Sequence, residues 1–143
     1  MAPQPSSRPP SNLVQFQRPA DPERLVPFDV EAEEAVLGSL MLDSQAILAV
    51  AAFLTPADFY REQNKWVYTA AREFWERRTP IDFLTLRDEV ERHGRLDAIG
   101  GASYLTSLVN AVLISAHIEA YARIVQRTAF QRSIIAAGSA IAT

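Results

Sequence analysis

From Asp29 onward the apolar residues recur at three- and four-residue steps with almost no strand-like alternation, the spacing of helices that each bury one face. The pattern predicts an all-α fold, with a compact helical body of about five to six helices followed by a C-terminal antiparallel helical hairpin. Asp29 is placed as the N-cap of the first helix, with Glu31, Glu33 and Glu34 in the opening turns, where acidic groups suit the positive end of the helix dipole. Ala32, Val36, Leu37 and Leu40 form its buried face. Gly38 lies inside this helix, where glycine is costly, so a neighbouring helix is expected to pack closely against it.

Asp43 and Ser44 open a second, short helix through Ala46, Ile47, Val50 and Phe53, and Thr55-Pro56 begins a brief turn ending near Phe59-Tyr60. Over residues 63–77, Trp66, Val67, Ala70, Phe74 and Trp75 mark a strongly amphipathic helix, with both tryptophans assigned to the core or its edge. Asp82 caps the next helix, Phe83, Leu86 and Val90 face inward, and Gly94 supplies the left-handed stop. Gly100-Gly101 breaks the chain before a helix over residues 102–111, a turn at residues 113–115 and a long last helix. So short a turn predicts that the last two helices fold back on each other, making residues 101–143 a hairpin beside the body of residues 27–100.

The last helix is apolar on more than one side: Ile118, Tyr121 and Val125 form one stripe, while Ile124, Ile134, Ile135 and Ile141 spread around the others. A helix of this kind packs between several neighbours or forms an intermolecular interface. No Gly, Asn or Pro closes it before Thr143, so it is expected to run on into a linker in a longer parent protein.

An apolar fraction of 48% with 22% charged residues suits one globular core in 143 residues. Residues 1–26 stand apart: they hold six of the nine prolines and little apolar content beyond Leu13, Val14, Phe16, Leu25 and Val26. Such a segment cannot bury enough surface to offset its ordering entropy, and a disordered tail is expected, with a partner motif at residues 13–16 as the alternative. The absence of cysteine excludes disulfides and thiol chemistry. No apolar run approaches the roughly 18 residues of a membrane span and no signal-like segment opens the chain, so a cytoplasmic protein is expected.

The net charge of −3 is negative through the middle of the chain and positive from residue 113 on, with Lys65 the single lysine. Without a basic face, autonomous binding to duplex DNA is not expected. Catalytic chemistry is similarly undersupplied. The five glycines, Gly38, Gly94, Gly100, Gly101 and Gly138, lie far from Lys65, so no phosphate-cradling loop forms. His93 and His117 fall on different helices without metal-ligand spacing; His93 suits a helix C-terminus and His117 a helix start or interface. Asp58, Glu62, Glu73, Glu76, Asp88, Glu89 and Glu91, interleaved with Arg61, Arg72, Arg77 and Arg87, match solvated helix faces, as does the pair Arg77-Arg78, for which contact with nucleic acid or with a partner's acidic groups is the alternative. No catalytic, cofactor-binding or metal-ligating residue is assigned.

Several segments together resemble the N-terminal domain of DnaB-type replicative DNA helicases. They are Pro27-Phe28-Asp29-Val30-Glu31-Ala32-Glu33 with Val36-Leu37-Gly38-Ser39-Leu40-Met41-Leu42-Asp43, then Leu54-Thr55-Pro56-Ala57-Asp58-Phe59-Tyr60. Pro80-Ile81-Asp82, Thr85-Leu86, Gly94, Leu96, Gly100-Gly101 and Tyr104-Leu105 follow in the family's order, and Ser115-Ala116-His117-Ile118, Tyr121-Ala122 and Ile124-Val125 complete it. Glu34, Asn64 and His117 depart from the residues the family commonly carries there, and the tail before Val26 has no counterpart.

The resemblance implies a collar domain of a hexameric helicase, often a trimer of dimers, in which hairpins of neighbouring subunits pair. The parent would unwind duplex DNA 5′ to 3′ along a single strand threaded through its ring, using ATP and magnesium in a motor domain beyond the present sequence. Primase, through its C-terminal domain, is the implied partner of the collar, and a helicase loader is a further family-level partner. The hairpin residues Leu105, Leu108, Val112, Ile118, Tyr121 and Val125 are the expected subunit interface. Competing readings are the helicase-binding domain of a primase, which shares the helical body and hairpin, a generic helical oligomerisation module, and a small helical enzyme built on a carboxylate pair. The motif over residues 27–43 and its place near the start of the chain favour the helicase.

Overall fold

The computed structural model describes residues 26–112 and 114–142. The expected tail, with its motif at residues 13–16, therefore lies outside the described residues apart from Val26. The remainder is helical, with no strand among the described residues.

Helix α1 (Val30–Leu42) is the centre of the fold. The Asp29 carboxylate caps it by accepting the Ala32 N–H at 2.9 Å. Its burial is wider than a single stripe: Ala32, Glu33 and every residue from 35 to 41 are buried, because other helices cover it on several sides. A helix surrounded in this way needs no polar face. After Asp43, the short helix expected from the pattern is a 3-10 helix, Ser44–Ala49, and a second 3-10 turn, Pro56–Asp58, follows. The Asp58 carboxylate closes that turn by accepting the Thr55 N–H at 2.9 Å.

Helix α2 (Glu62–Glu76) buries Val67, Tyr68, Ala70, Ala71 and Phe74. Trp66 lies half-buried at the core edge under Arg95, whereas Trp75 is exposed. Helix α3 (Phe83–Arg92) begins with a reciprocal cap in which the Asp82 carboxylate accepts the Thr85 N–H at 2.9 Å and the Thr85 hydroxyl accepts the Asp82 N–H at 3.0 Å. Gly94, at φ +68°, stops it. A single turn, α4 (Leu96–Ile99), was not foreseen; it brings Ile99 into the core before α5 (Gly101–Asn110). A 3-10 turn (Ser115–His117) leads into α6 (Ile118–Ala142).

The last two long helices do not form the expected antiparallel hairpin. Their axes meet at 90°, and each packs against α1. Gly38 explains the preference: a Cβ there would sit 2.0 Å from the Leu108 carbonyl oxygen and 2.4 Å from Val112 Cγ2, so α5 lies against the α1 backbone itself. Consequently a single core extends from Ala32 to Val125, and no break in packing falls near residue 100. Among the described residues no single helix is long and apolar enough to cross a membrane.

Candidate interface of the last helix

Helix α6 is 25 residues long, about 37 Å at 1.5 Å per residue, and it divides in two. Ile118, Ala122, Val125 and Thr128 are buried against the body, whereas residues 133–139 are all exposed. Arg132 stands at the division. Its guanidinium donates to the Pro27 carbonyl at 2.9 Å and to the Asp58 carbonyl at 2.8 Å, and it lies 5.3 Å from the centre of the Tyr60 ring. Tyr60 in turn stacks on Phe28 with ring centres 4.6 Å apart. One arginine thus ties the chain entry, the second 3-10 turn and α6 together. A second cation, Arg123, covers the Phe53 ring at 3.7 Å.

On either side of this anchorage α6 presents Phe130, and then Ile134 and Ile135, exposed by 64%, 55% and 43%. Large apolar side chains grouped on one projecting helix are the composition of an interface.

The residues expected to pair subunits are largely elsewhere. Leu105, Leu108, Ile118 and Val125 are at most 3% exposed within this chain's own core. Val112, over Gly38, and Tyr121, beside the edge of the His117 ring, are both only partly buried. Within the stripe that sequence periodicity identified, Leu105, Leu108, Ile118 and Val125 are thus covered by this chain, α1 included.

Two buried polar networks were not foreseen from the sequence, and one of them holds Arg72, which the charge pattern assigns to a solvated face. Glu33 is fully buried and accepts hydrogen bonds from the Tyr60 N–H at 2.6 Å, the Arg61 N–H at 3.3 Å and Asn64 Nδ2 at 2.9 Å. The Tyr104 hydroxyl donates to Asn64 Oδ1, which extends the network to α5, and burial pushes that phenol above its ordinary pKa. Arg72 donates to the carbonyls of Ala51 at 3.1 Å and Leu54 at 2.7 Å, where the Tyr68 hydroxyl joins it.

Glu89 is also buried. The Arg92 guanidinium donates to both of its oxygens at 2.8 Å and holds the carboxyl below the usual carboxylate range, against the opposing effect of burial. His93 lies 3.0 Å away and Arg77 at 3.8 Å. Glu73, Glu89 and His93 bring ligand-type atoms within 4.8 Å of one another, but the Glu89 oxygens are engaged by Arg92 and His93. Glu89, with Arg92, His93 and Arg77, forms an ion-pair network joining the end of α2 to α3.

The family profile described as DnaB-like helicase N terminal domain matches residues 25–127. The chain belongs to this family. The replicative DNA helicase DnaB of Geobacillus stearothermophilus is 38% identical over 120 residues, 84% of this chain but 26% of that protein. The present chain therefore spans about a quarter of that relative's length. The crystal structure of the N-terminal domain of DnaB helicase from Mycobacterium tuberculosis superposes with a TM-score of 0.80 at 38% identity, covering 82% of this chain and 85% of that one. A DnaB-like replicative helicase, whose structure is described together with its interactions with primase, matches with a TM-score of 0.70 at 25% identity over 79% of this chain and 27% of that one. Membership of the DnaB family decides against the reading of this chain as a primase module.

Proposed function

We propose that this chain is the N-terminal collar domain of a hexameric replicative helicase, and that it joins subunits through the outer part of α6 while offering a docking platform to the C-terminal domain of primase. The observation that carries the reading is the exposure of Phe130, Ile134 and Ile135 around Arg132, on a helix whose first half is locked into the core. The primase part rests on the likeness to a DnaB-like helicase described with primase interactions. The chain itself supplies assembly. Unwinding, ATP with its magnesium ion, passage of single-stranded DNA and engagement of a loader belong to a motor domain in the parent, which works in the cytoplasm at the fork.

The interface proposed first from periodicity, with Leu105, Leu108, Val112, Ile118, Tyr121 and Val125, moves outward on this reading to Tyr121, Phe130, Ile134 and Ile135. Sedimentation of the chain across a concentration series, alone and with the cognate primase C-terminal domain, tests it. Association that is lost in Phe130→Asp and Ile134→Asp, together with a primase-dependent shift in mass, is the expected result. A chain that stays monomeric at all concentrations and ignores primase would overturn it.

A further inference from the structure

An open cleft of about 560 Å³ lies between the first 3-10 helix and the end of α2, away from the residues assigned to subunit pairing. Its apolar walls are Leu48, 61% exposed, and Trp75, 37% exposed, with Pro80 closing one end. Arg78 lines the same cleft. Its neighbour Arg77 is occupied, paired with Glu89 and lying 5.2 Å from the centre of the Phe74 ring. The Arg78 guanidinium has no hydrogen-bond or ion-pair partner among the described residues.

The backbone makes Arg78 unusual. It occupies the left-handed region at φ +56°, the only non-glycine to do so among the described residues. The reason is local: α2 ends in a doubly bonded stop, with the Arg78 N–H on the Trp75 carbonyl at 3.1 Å and the Thr79 N–H on the Phe74 carbonyl at 2.8 Å. Such a stop demands a left-handed residue, and glycine meets that demand without a Cβ clash. The chain uses glycine at the comparable ends of α3 and α4, Gly94 and Gly100. Only the stop that lines the cleft carries an arginine, at a cost in backbone strain that its unpaired guanidinium does nothing inside the fold to offset.

We propose that the cleft binds a short acidic segment of a partner protein, one large apolar side chain lodging on Leu48 and Trp75 while an adjacent carboxylate pairs with Arg78. Exposed tryptophan and arginine are the residues that anchor protein interfaces, and the planar guanidinium matches a carboxylate in two parallel hydrogen bonds. A nucleic acid strand fits less well, since it needs several cations along its backbone and the cleft is lined by one, Arg78, enough for a single carboxylate.

The test is fluorescence anisotropy of the whole chain with a fluorescein-labelled peptide carrying two aspartates beside leucine and phenylalanine in a glycine-serine background. Controls are the same peptide with lysines for the aspartates and a labelled oligothymidine. The acidic peptide is expected to bind about tenfold more tightly than the lysine peptide, and Arg78→Gly and Leu48→Ser should each weaken it by about fivefold or more. Arg78→Gly should at the same time melt about 3 °C higher than the parent, because relief of strain raises stability while the ligand contact is lost. The proposal is overturned if the acidic peptide shows no binding at millimolar concentration, if Arg78→Gly binds it unchanged or melts lower, or if the oligothymidine binds as tightly.

Discussion

The carboxylate of Glu33 accepts the backbone N–H of Tyr60 at 2.6 Å, reaching across 27 residues of sequence to hold the chain where it enters α2. A buried carboxylate with three donors orders the loop around it, and removing it strands those donors away from water. Glu33→Ala is therefore expected to lose about 3 kcal/mol of unfolding free energy, and Glu33→Gln, which keeps one acceptor, about half as much. Urea denaturation followed by circular dichroism measures both. Equal stability of Glu33→Ala and the parent would show that the network contributes nothing.

Two glycines inside helices, Gly38 and Gly138, should respond in opposite directions. Gly38→Ala places a methyl group 2.0 Å from the Leu108 carbonyl oxygen and must push α5 off α1, at a cost of about 3 kcal/mol. At Gly138 no atom lies within 4 Å of an added Cβ, so alanine there stabilises α6 by up to about 1 kcal/mol. Thermal melts of the two variants, side by side, decide the matter.

Charged substitutions along α6 separate core from interface. Ile118, 3% exposed, lies in the core, and Ile118→Asp should unfold the chain or cost about 4 kcal/mol. Ile134→Asp, at a position 55% exposed, should leave the melting temperature within a degree or two while lowering the sedimenting mass. A cooperative, stable Ile118→Asp variant would be incompatible with the packing described.

Acid should weaken the bond between α2 and α3. The folded Glu89 carboxyl titrates below its usual value of 4.5 because Arg92 donates to it, with His93 and Arg77 adding to the same effect. Its contribution to stability is thus complete above about pH 4.5 and disappears as the pH falls through the lower folded value. The difference in stability between the parent and Glu89→Gln should hold from pH 6 to about pH 5 and shrink from there to about pH 3, as read from urea midpoints at each pH. A constant difference over that range would remove Glu89 from the acid response.

What the sequence made legible was local. Asp29 and Asp82 cap the helices assigned to them, Gly94 ends α3, and the crowding at Gly38 follows from a single glycine in an otherwise helix-forming run. Each of these effects acts within a few residues of its cause. The burial of Glu33 was not legible because three neighbouring glutamates look alike in a helix's first turns, and the donors that distinguish it, Tyr60, Arg61 and Asn64, come from a remote part of the chain. The subunit stripe raises a related point. Periodicity shows that Leu105, Leu108, Ile118 and Val125 seek cover, but not whether this chain or another copy provides it.

The grip of Arg132 on the Pro27 and Asp58 carbonyls makes α6 a cantilever. Ten residues beyond that fulcrum, about 15 Å of helix, extend past the support. A force applied at the free end, by a neighbouring subunit or by a bound partner, is delivered first to the point where the chain enters its fold. Leverage of this kind would couple the pose of the projecting arm to the direction in which residues before Pro27 leave the body, although the two are separated by more than a hundred residues of chain.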